Sequence, residues 1–402
     1  MQIAGIIIEY NPMHRGHRYL LEQTRALLGA DTAVIGVMSG NFVQRGDFAL
    51  VRKHARARAA VESGMDLVLE LPLPWAVASA ERFADGGVQV LLGTGLVTEL
   101  VFGSECGDAS ALQRIAGALL RPEMDGLIWR ELDKGDSFAA ARQRALGALL
   151  PAEEAALLED PNNTLGIEYC KALRRRNSAV HPMTVARKGM HHSGRDPGEG
   201  PAPATLIREA LRRGERDWAL SEMTPAMRAV YEAEEAAGRA PVFRENCERA
   251  VLARLRSMRE SDFAALDEGR EGLWRRLYAA ARTAVSVEEA LEAAKTKRYA
   301  YARLSRMILW GYLGLTPVDF PAEVPYLRVL AANETGRSLL GRMRKNAAVP
   351  VLTKPADVRL LPEAARGLFE WEARATDLYT LAYPDLTVAH GGAEWREGPV
   401  IL

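Results

Sequence analysis

Gly5-Ile6-Ile7-Ile8-Glu9-Tyr10-Asn11-Pro12-Met13-His14-Arg15-Gly16-His17 decides how the chain is read. Gly5 to Ile8 is a short apolar run closed by a turn signal, the pattern of a buried strand. Glu9 to Met13 turns the chain, and a helical pattern follows from Arg18 to Leu28. His14 and His17 fall at i and i+3 on the first turn of that helix, where such side chains face the same way. Free backbone N–H groups and the helix dipole already favour an anion there. Two imidazoles, hydrogen-bonding or protonated, suit a phosphate and the charge that builds up during displacement at phosphorus. Gly16 has no Cβ and permits close backbone approach. The same spacing also fits two histidines that simply cap a helix.

Working outward, Thr32 to Met38 reads as a second strand ending at Ser39-Gly40-Asn41, and Asp66 to Leu71 as a third stopped by Pro72 and Pro74. Leu100-Val101-Phe102 is a fourth strand and Pro182 to Ala186 a fifth. Helical patterns at Lys53–Ser63, Ser79–Leu92 and Asn163–Arg175 separate them. This βαβα order predicts a parallel, doubly wound, Rossmann-like sheet. Ligands of such sheets bind beyond the carboxyl ends of the strands, so Asn11, Ser39 and Gly103 are expected on one rim. Gly194 to Pro203 is rich in Gly and Pro and reads as a loop, with a helix from Ala204 to Arg213 after it. Beyond about residue 215, Ala/Glu-rich helical stretches such as Glu232–Arg239 and Ser286–Thr296 dominate, and strand-like runs become scarce. The expected organisation is a catalytic α/β domain over residues 1–215 and a mostly α-helical one over 216–402. The tail from Leu386 is Gly-rich and poorly specified.

With 402 residues and 48% apolar content, the chain has material for more than one core. Its 52 basic and 52 acidic residues balance, so any nucleic-acid surface must be a local patch. Cys106, Cys170 and Cys247 are odd in number and form no CxxC pair, which supports neither a zinc ribbon nor a disulfide framework. A reducing, cytoplasmic setting is the simplest reading. The opening residues lack a basic n-region and an A-x-A-like site, and no apolar run approaches the roughly 18 residues that span a bilayer. His191-His192 lacks a third ligand at recognisable spacing, so no metal site is expected.

The His-x-Gly-His at a strand–helix junction resembles the nucleotidylyltransferase superfamily. Further blocks narrow this: Met38-Ser39-Gly40-Asn41-Phe42-Val43-Gln44-Arg45-Gly46, Asp66-Leu67-Val68-Leu69-Glu70-Leu71-Pro72, Phe102-Gly103-Ser104-Glu105, Pro161-Asn162-Asn163-Thr164-Leu165-Gly166-Ile167-Glu168-Tyr169 and Lys295-Thr296-Lys297-Arg298-Tyr299. With the opening stretch, they are similar to the bacterial tRNA(Met) cytidine acetate ligases over most of the chain. The resemblance implies a two-step reaction. Acetate attacks the α-phosphate of ATP, used with Mg²⁺, giving acetyl-adenylate and pyrophosphate. The amine of the wobble cytidine, in the anticodon region of elongator tRNA(Met), then takes the acetyl group to give N4-acetylcytidine. Such chemistry rests on positioning and charge stabilisation, which fits a chain in which no Ser-His-Asp or Cys-His arrangement stands out.

By the same resemblance, His14 and His17 are catalytic. ATP contacts map onto Ile7, Ile8, Glu9, Tyr10, Asn11, Pro12, Met13, His14, Arg15, Gly16, His17, Arg18, Tyr19, Leu20, Gly103, Asn162 and Arg187. Asn162 offers both donor and acceptor, and also suits helix capping. Arg187 suits a forked phosphate contact. A second superfamily motif, a Ser/Thr-rich turn followed by Arg, matches Pro203-Ala204-Thr205-Leu206-Ile207-Arg208. Its usual serines are replaced here, which leaves Arg208 the stronger phosphate ligand and Thr205 the weaker.

Lys295, Lys297, Arg298, Arg303 and Arg306 form a basic stretch interleaved with Tyr299 and Tyr301. Basic residues neutralise phosphates, and aromatics stack unpaired bases; the plainer reading is a solvated helix face with tyrosines in the core. Arg337, Arg342, Arg344 and Lys345 make a second patch. Two other functions share these features. A small-molecule adenylyltransferase would leave the basic helical half without a role, and a non-catalytic RNA-binding protein would not need His14 and His17.

Overall fold

The computed structural model describes residues 2–135, 137–187, 200–269, 272–316 and 321–402. The strands are β1 (Ile3–Ile8), β2 (Ala33–Ser39), β3 (Phe42–Val43), β4 (Asp47–Phe48), β5 (Leu67–Leu71), β6 (Glu99–Ser104), β7 (His181–Ala186), β8 (Leu327–Ala332), β9 (Val351–Leu352) and β10 (Val400–Ile401). The central sheet runs β10-β8-β5-β2-β1-β6-β7, with β9 beside β8. Strands β5, β2, β1, β6 and β7 are parallel, as the βαβα reading predicts. The sequence predicts five strands up to Ala186 and only scarce strand-like runs beyond about residue 215. Instead, β8 returns to the sheet antiparallel to β5, and β10 lies parallel to β8.

Strand β1 shows why the run is continuously apolar: its residues are buried along both faces. Ile3 and Ile7 enter the core built with the helices Ala80–Gly93, Ala109–Leu119 and Pro161–Arg175. Ala4, Ile6 and Ile8 enter the core shared with α1 (Arg15–Leu28) and the helix Lys53–Glu62. This is the period of two expected of a strand between two helical layers. Gly5 is required by the packing, since a Cβ there would lie 2.7 Å from the Leu91 side chain.

A third core is helical. It gathers Leu255, Leu277, Leu291, Ile308 and Trp310 with Phe42 and Phe48 of the β3–β4 hairpin. The helix Tyr301–Leu313 is stitched to the sheet region where Trp310 donates to the Val77 carbonyl at 2.8 Å. Gly46 has φ +79, and a Cβ there would meet the Arg306 backbone nitrogen at 2.3 Å, so a residue without a side chain lets hairpin and helix abut. The segment from Leu386 has definite contacts. Glu394 is 1% exposed and pairs with Lys53 and Arg328, both buried. Among the described residues no helix is long and apolar enough to cross a membrane.

Candidate functional site

The switch point of the sheet lies between β1 and β6, the place where an open α/β sheet forms its ligand crevice. At the carboxyl end of β1, Tyr10 has φ +48, a left-handed conformation that a non-glycine residue holds only under local constraint. Arg56 supplies that constraint. Its buried guanidinium donates to the carbonyls of Glu9 and Gly40, and to those of Ser39 and Val51 at 2.9 Å each. One side chain therefore ties together the exits of β1 and β2. Burial pushes the Arg56 pKa down to about 10, still charged at neutral pH.

The histidines cap α1 and each other. His14 Nδ1 accepts from the Gly16 N–H at 3.1 Å, and His17 Nδ1 accepts from the His14 N–H at 3.3 Å. Their ring centroids lie 3.8 Å apart. Gly16 fits this closeness, because a Cβ would sit 3.0 Å from His14 Cε1. Burial, reinforced by Arg187, lowers the His14 pKa to about 3. Burial, then His14 and Arg187, hold His17 well below its ordinary value. Both rings are thus neutral at pH 7. A neutral imidazole whose Nδ1 accepts carries its hydrogen on Nε2, so each histidine offers one N–H to the cavity both rings line. Capping uses the Nδ1 edge of each ring and leaves the Nε2 edge for a ligand. In ring NMR spectra of the free protein, the His14 and His17 signals are expected not to titrate between pH 8 and 5; titration near pH 6.5 would contradict neutral rings. Because only the neutral forms are accommodated, the free protein loses stability as pH falls from about 6.5 towards 3.

A cavity of about 660 Å³ opens over this turn. Glu9, Tyr10, Asn11, His14, His17, Asn162, Arg187 and Arg208 line it, and so does Thr205. Asn162 does not cap its helix. Its Nδ2 donates to Glu105 Oε1 at 2.6 Å, and its Oδ1 accepts from Arg187 at 3.4 Å. Glu105 Oε2 also takes the Asn163 N–H at 2.7 Å, which fixes the start of the helix Pro161–Arg175. Arg208 donates to the Asn11 carbonyl at 2.6 Å while its buried Nε has no partner. Among the described residues, neither Arg187 nor Arg208 has a carboxylate within ion-pair distance. Glu105 acts on Arg187, and Asp47 and Glu9 on Arg208, only from beyond ion-pair distance, and burial lowers both guanidinium pKa values. Guanidiniums without a direct carboxylate contact, beside two imidazole donors, suit a polyanion.

The other expected contacts are placed differently. Ile7, Ile8 and Met13 are core residues, and Pro12 is buried. Gly103 lies beneath Arg187, with room for a Cβ only at 3.4 Å from Arg187 Cγ. Arg15 is exposed and donates to the Ser221 carbonyl, and Arg18 pairs with Glu22 at 2.8 Å. Tyr19 and Leu20 pack at the edge of the α1 core. His191, His192 and most of the expected Gly194–Pro203 loop fall outside the described residues.

Within the basic stretch, Lys295, Lys297 and Arg298 are exposed. Arg303 is committed to the Glu268 carbonyl at 2.7 and 2.9 Å, and Arg306 to the Glu268 carboxylate. Tyr299 is buried in the helical core; Tyr301 is at the cavity. Arg337, Arg342, Arg344 and Lys345 sit on the helix Glu334–Asn346, whose Asn333 cap bonds Asp66 just before β5. That is the amino end of the parallel strands, away from the cavity. Sequence reasoning missed Arg56, Glu105 and the helical residues of the cavity, Arg244, Glu288 and Ser305 among them. Burial of Arg56 is decided by the fold, and the run Lys53–Glu62, which also holds the exposed Arg58, carries no local signal for it.

Residues 1–393 match the family model for HIGH Nucleotidyl Transferase. The chain belongs to this family. A relative from Acetivibrio thermocellus, named tRNA(Met) cytidine acetate ligase, is 36% identical over 416 residues and covers 100% of each chain. One of the same name from Fervidobacterium nodosum is 35% identical over 98% of each chain. The crystal structure of Thermotoga maritima TmcAL bound with alpha-thio ATP superposes with a TM-score of 0.92 at 32% identity, covering both chains fully. Its apo form gives 0.94 at 33% identity, again over both whole chains.

Proposed function

We propose that the chain is a tRNA(Met) cytidine acetate ligase acting in the cytoplasm. The observation that carries this is the pair of Nε2–H donors on His14 and His17, in one cavity with Arg187 and Arg208, neither of which has a carboxylate within ion-pair distance among the described residues. The full-length relatives named for that activity support the substrate assignment. An acetate oxygen attacks the α-phosphorus of ATP, the bond to the β-phosphate oxygen breaks, and pyrophosphate leaves. His14 and His17 donate to the α-phosphate oxygens as charge accumulates, an arrangement set before the reaction begins. Arg187, oriented by Asn162, and Arg208 hold the phosphate chain. The amine of the wobble cytidine of elongator tRNA(Met) then bonds to the acyl carbon, AMP departs, and the nitrogen loses one proton. Among the described residues no group of three His, Cys, Asp or Glu side chains could hold a metal ion. In this reading Mg²⁺ enters on the phosphates of ATP, as it commonly does. Residues 1–215 carry the activation chemistry, and within 216–402 the exposed Lys295, Lys297 and Arg298 neutralise RNA phosphates near the anticodon.

Incubation with ATP, labelled acetate and unmodified tRNA(Met) transcript tests the reading. Label in the RNA is the expected result. Pyrophosphate release that ignores acetate and tRNA but responds to a nucleotide-like acceptor would point to an adenylyltransferase instead. Retained tRNA binding with no ATP turnover would leave only an RNA-binding protein.

A further inference from the structure

The same cavity is lined by a second set of residues whose charges are already matched. Arg244 donates to Ser305 Oγ at 3.1 Å and to Glu288 Oε2 at 3.4 Å. Tyr301 donates its hydroxyl to that same Glu288 oxygen at 2.5 Å. Ser305 in turn donates to the Gly46 carbonyl at 2.9 Å, anchoring the set to the β3–β4 hairpin. Arg212 is paired with Glu245 at 3.3 Å. This contrasts with Arg187 and Arg208, which have no such carboxylate among the described residues. A guanidinium neutralised by a carboxylate is a poor phosphate site, yet it keeps directional donors and sets an acceptor beside them. Arg244 has five N–H donors; Ser305 and Glu288 take two and the Tyr301 oxygen takes another, which leaves a pair for a ligand.

We propose that Arg244, Glu288 and Tyr301 form the pocket for the acceptor base, reading an unstacked cytosine next to the activated acetyl group. This deepens the ligase reading and rests on it. Cytosine presents two adjacent acceptors, O2 and N3, and an exocyclic amine donor. Arg244 matches the acceptors in a fork, and Glu288 matches the amine side. Uracil would turn an N–H towards the same guanidinium and leave donors unpaired, a mismatch that buried polar sites reject strongly. Tyr301 supplies the platform: it is 36% exposed, lines the cavity and has Lys295 Nζ 6.0 Å from its ring centroid. Sequence-specific readers of single-stranded RNA use this combination of an aromatic face and edge-on hydrogen bonds. The placement also gives Tyr301 a role different from that of Tyr299, which lies in the core.

Arg244→Gln, Tyr301→Ala and Tyr301→Phe test the assignment with two readouts. Acetate-dependent exchange of labelled pyrophosphate into ATP reports the half-reaction that needs no RNA. Acetylation of tRNA(Met) transcript reports the whole. Arg244→Gln and Tyr301→Ala are expected to leave exchange within about twofold and to lower acetylation kcat/KM about ten- to a hundredfold, the size of a lost base pair contact or stacking face. Tyr301→Phe, which keeps the ring, should retain most of the acetylation. Unchanged acetylation in the first two variants would overturn the pocket. So would a parallel fall in exchange and acetylation in both, which would place these residues in the activation site or in folding. If the unaltered protein puts no acetate into the transcript, the ligase reading itself fails and takes the pocket with it.

Discussion

Changing His17 to Asn is expected to slow acetyl-adenylate formation about 10²–10³-fold, the usual cost of one oriented donor to a developing anion. The protein should remain as stable as before, because Asn places an oxygen near the position of Nδ1 and can still accept from the His14 N–H. What Asn lacks is a donor at the far edge of the ring. Gln reverses the exchange: its amide nitrogen reaches about as far as Nε2, while the capping acceptor is lost. His17→Gln should therefore keep more activity than His17→Asn, at a cost of about 1 kcal/mol in stability from the missing cap. Pyrophosphate exchange and denaturant unfolding on the two variants check this directly. Tracking of activity with stability across the pair would show that His17 acts only through the helix end. Binding of tRNA should change little in either variant, since the exposed Lys295, Lys297 and Arg298 are untouched.

The second large effect is expected far from the chemistry. Glu394→Ala removes a carboxylate that faces Lys53 and Arg328 and accepts from Thr376 Oγ1 at 2.5 Å. Burial alone would raise the Glu394 pKa, but Arg328, Lys53 and His54 outweigh it and hold the group well below the ordinary carboxylate range. Loss of one member of a buried ionic cluster leaves unmatched charge, at a cost of about 3–5 kcal/mol. The urea midpoint should fall accordingly. A loss under about 1 kcal/mol would mean that Glu70, which holds Lys53 at 2.7 Å and Arg328 at 3.5 Å, suffices by itself. Replacing Glu394 and Arg328 together by apolar residues should be milder than either single change. The carboxylate binds fewer protons folded than unfolded, so its contribution is present above about pH 4.3 and declines on acidification.

Strands β1, β2, β5, β6 and β7 were legible because each is a largely apolar run between helical patterns; β1, β2 and β5 are buried along their whole length, whereas the edge strand β7 is half-exposed. The run at β8 is broken by Arg328, and nothing local announces that Glu394 will neutralise it 66 positions later (394 − 328). Strand β10 pairs over two residues, too few to leave a periodic signal. At the site, the histidine pair was legible because spacing on one helical turn fixes which way side chains face. Its charge state was not, since neutrality comes from burial and from Arg187, brought close only by the fold. The same holds for Arg303, whose place in a basic stretch suggested RNA but whose guanidinium is spent on the Glu268 carbonyl. Arg244 and Tyr301 reach the cavity through the packing of the helix Tyr301–Leu313 against Gly46, a contact across more than 250 positions (305 − 46 = 259).

The buried Arg56 bears on association more than on chemistry. By holding the loops after β1 and β2 on one guanidinium, it settles their conformational entropy when the chain folds. Segments that order only when a ligand arrives lose affinity, at about 0.5–1.5 kcal/mol for each long side chain immobilised. A nucleotide that binds at the Glu9–His14 turn would meet backbone that Arg56 already holds in place. For that turn, the entropy of ordering is spent in folding and not on binding.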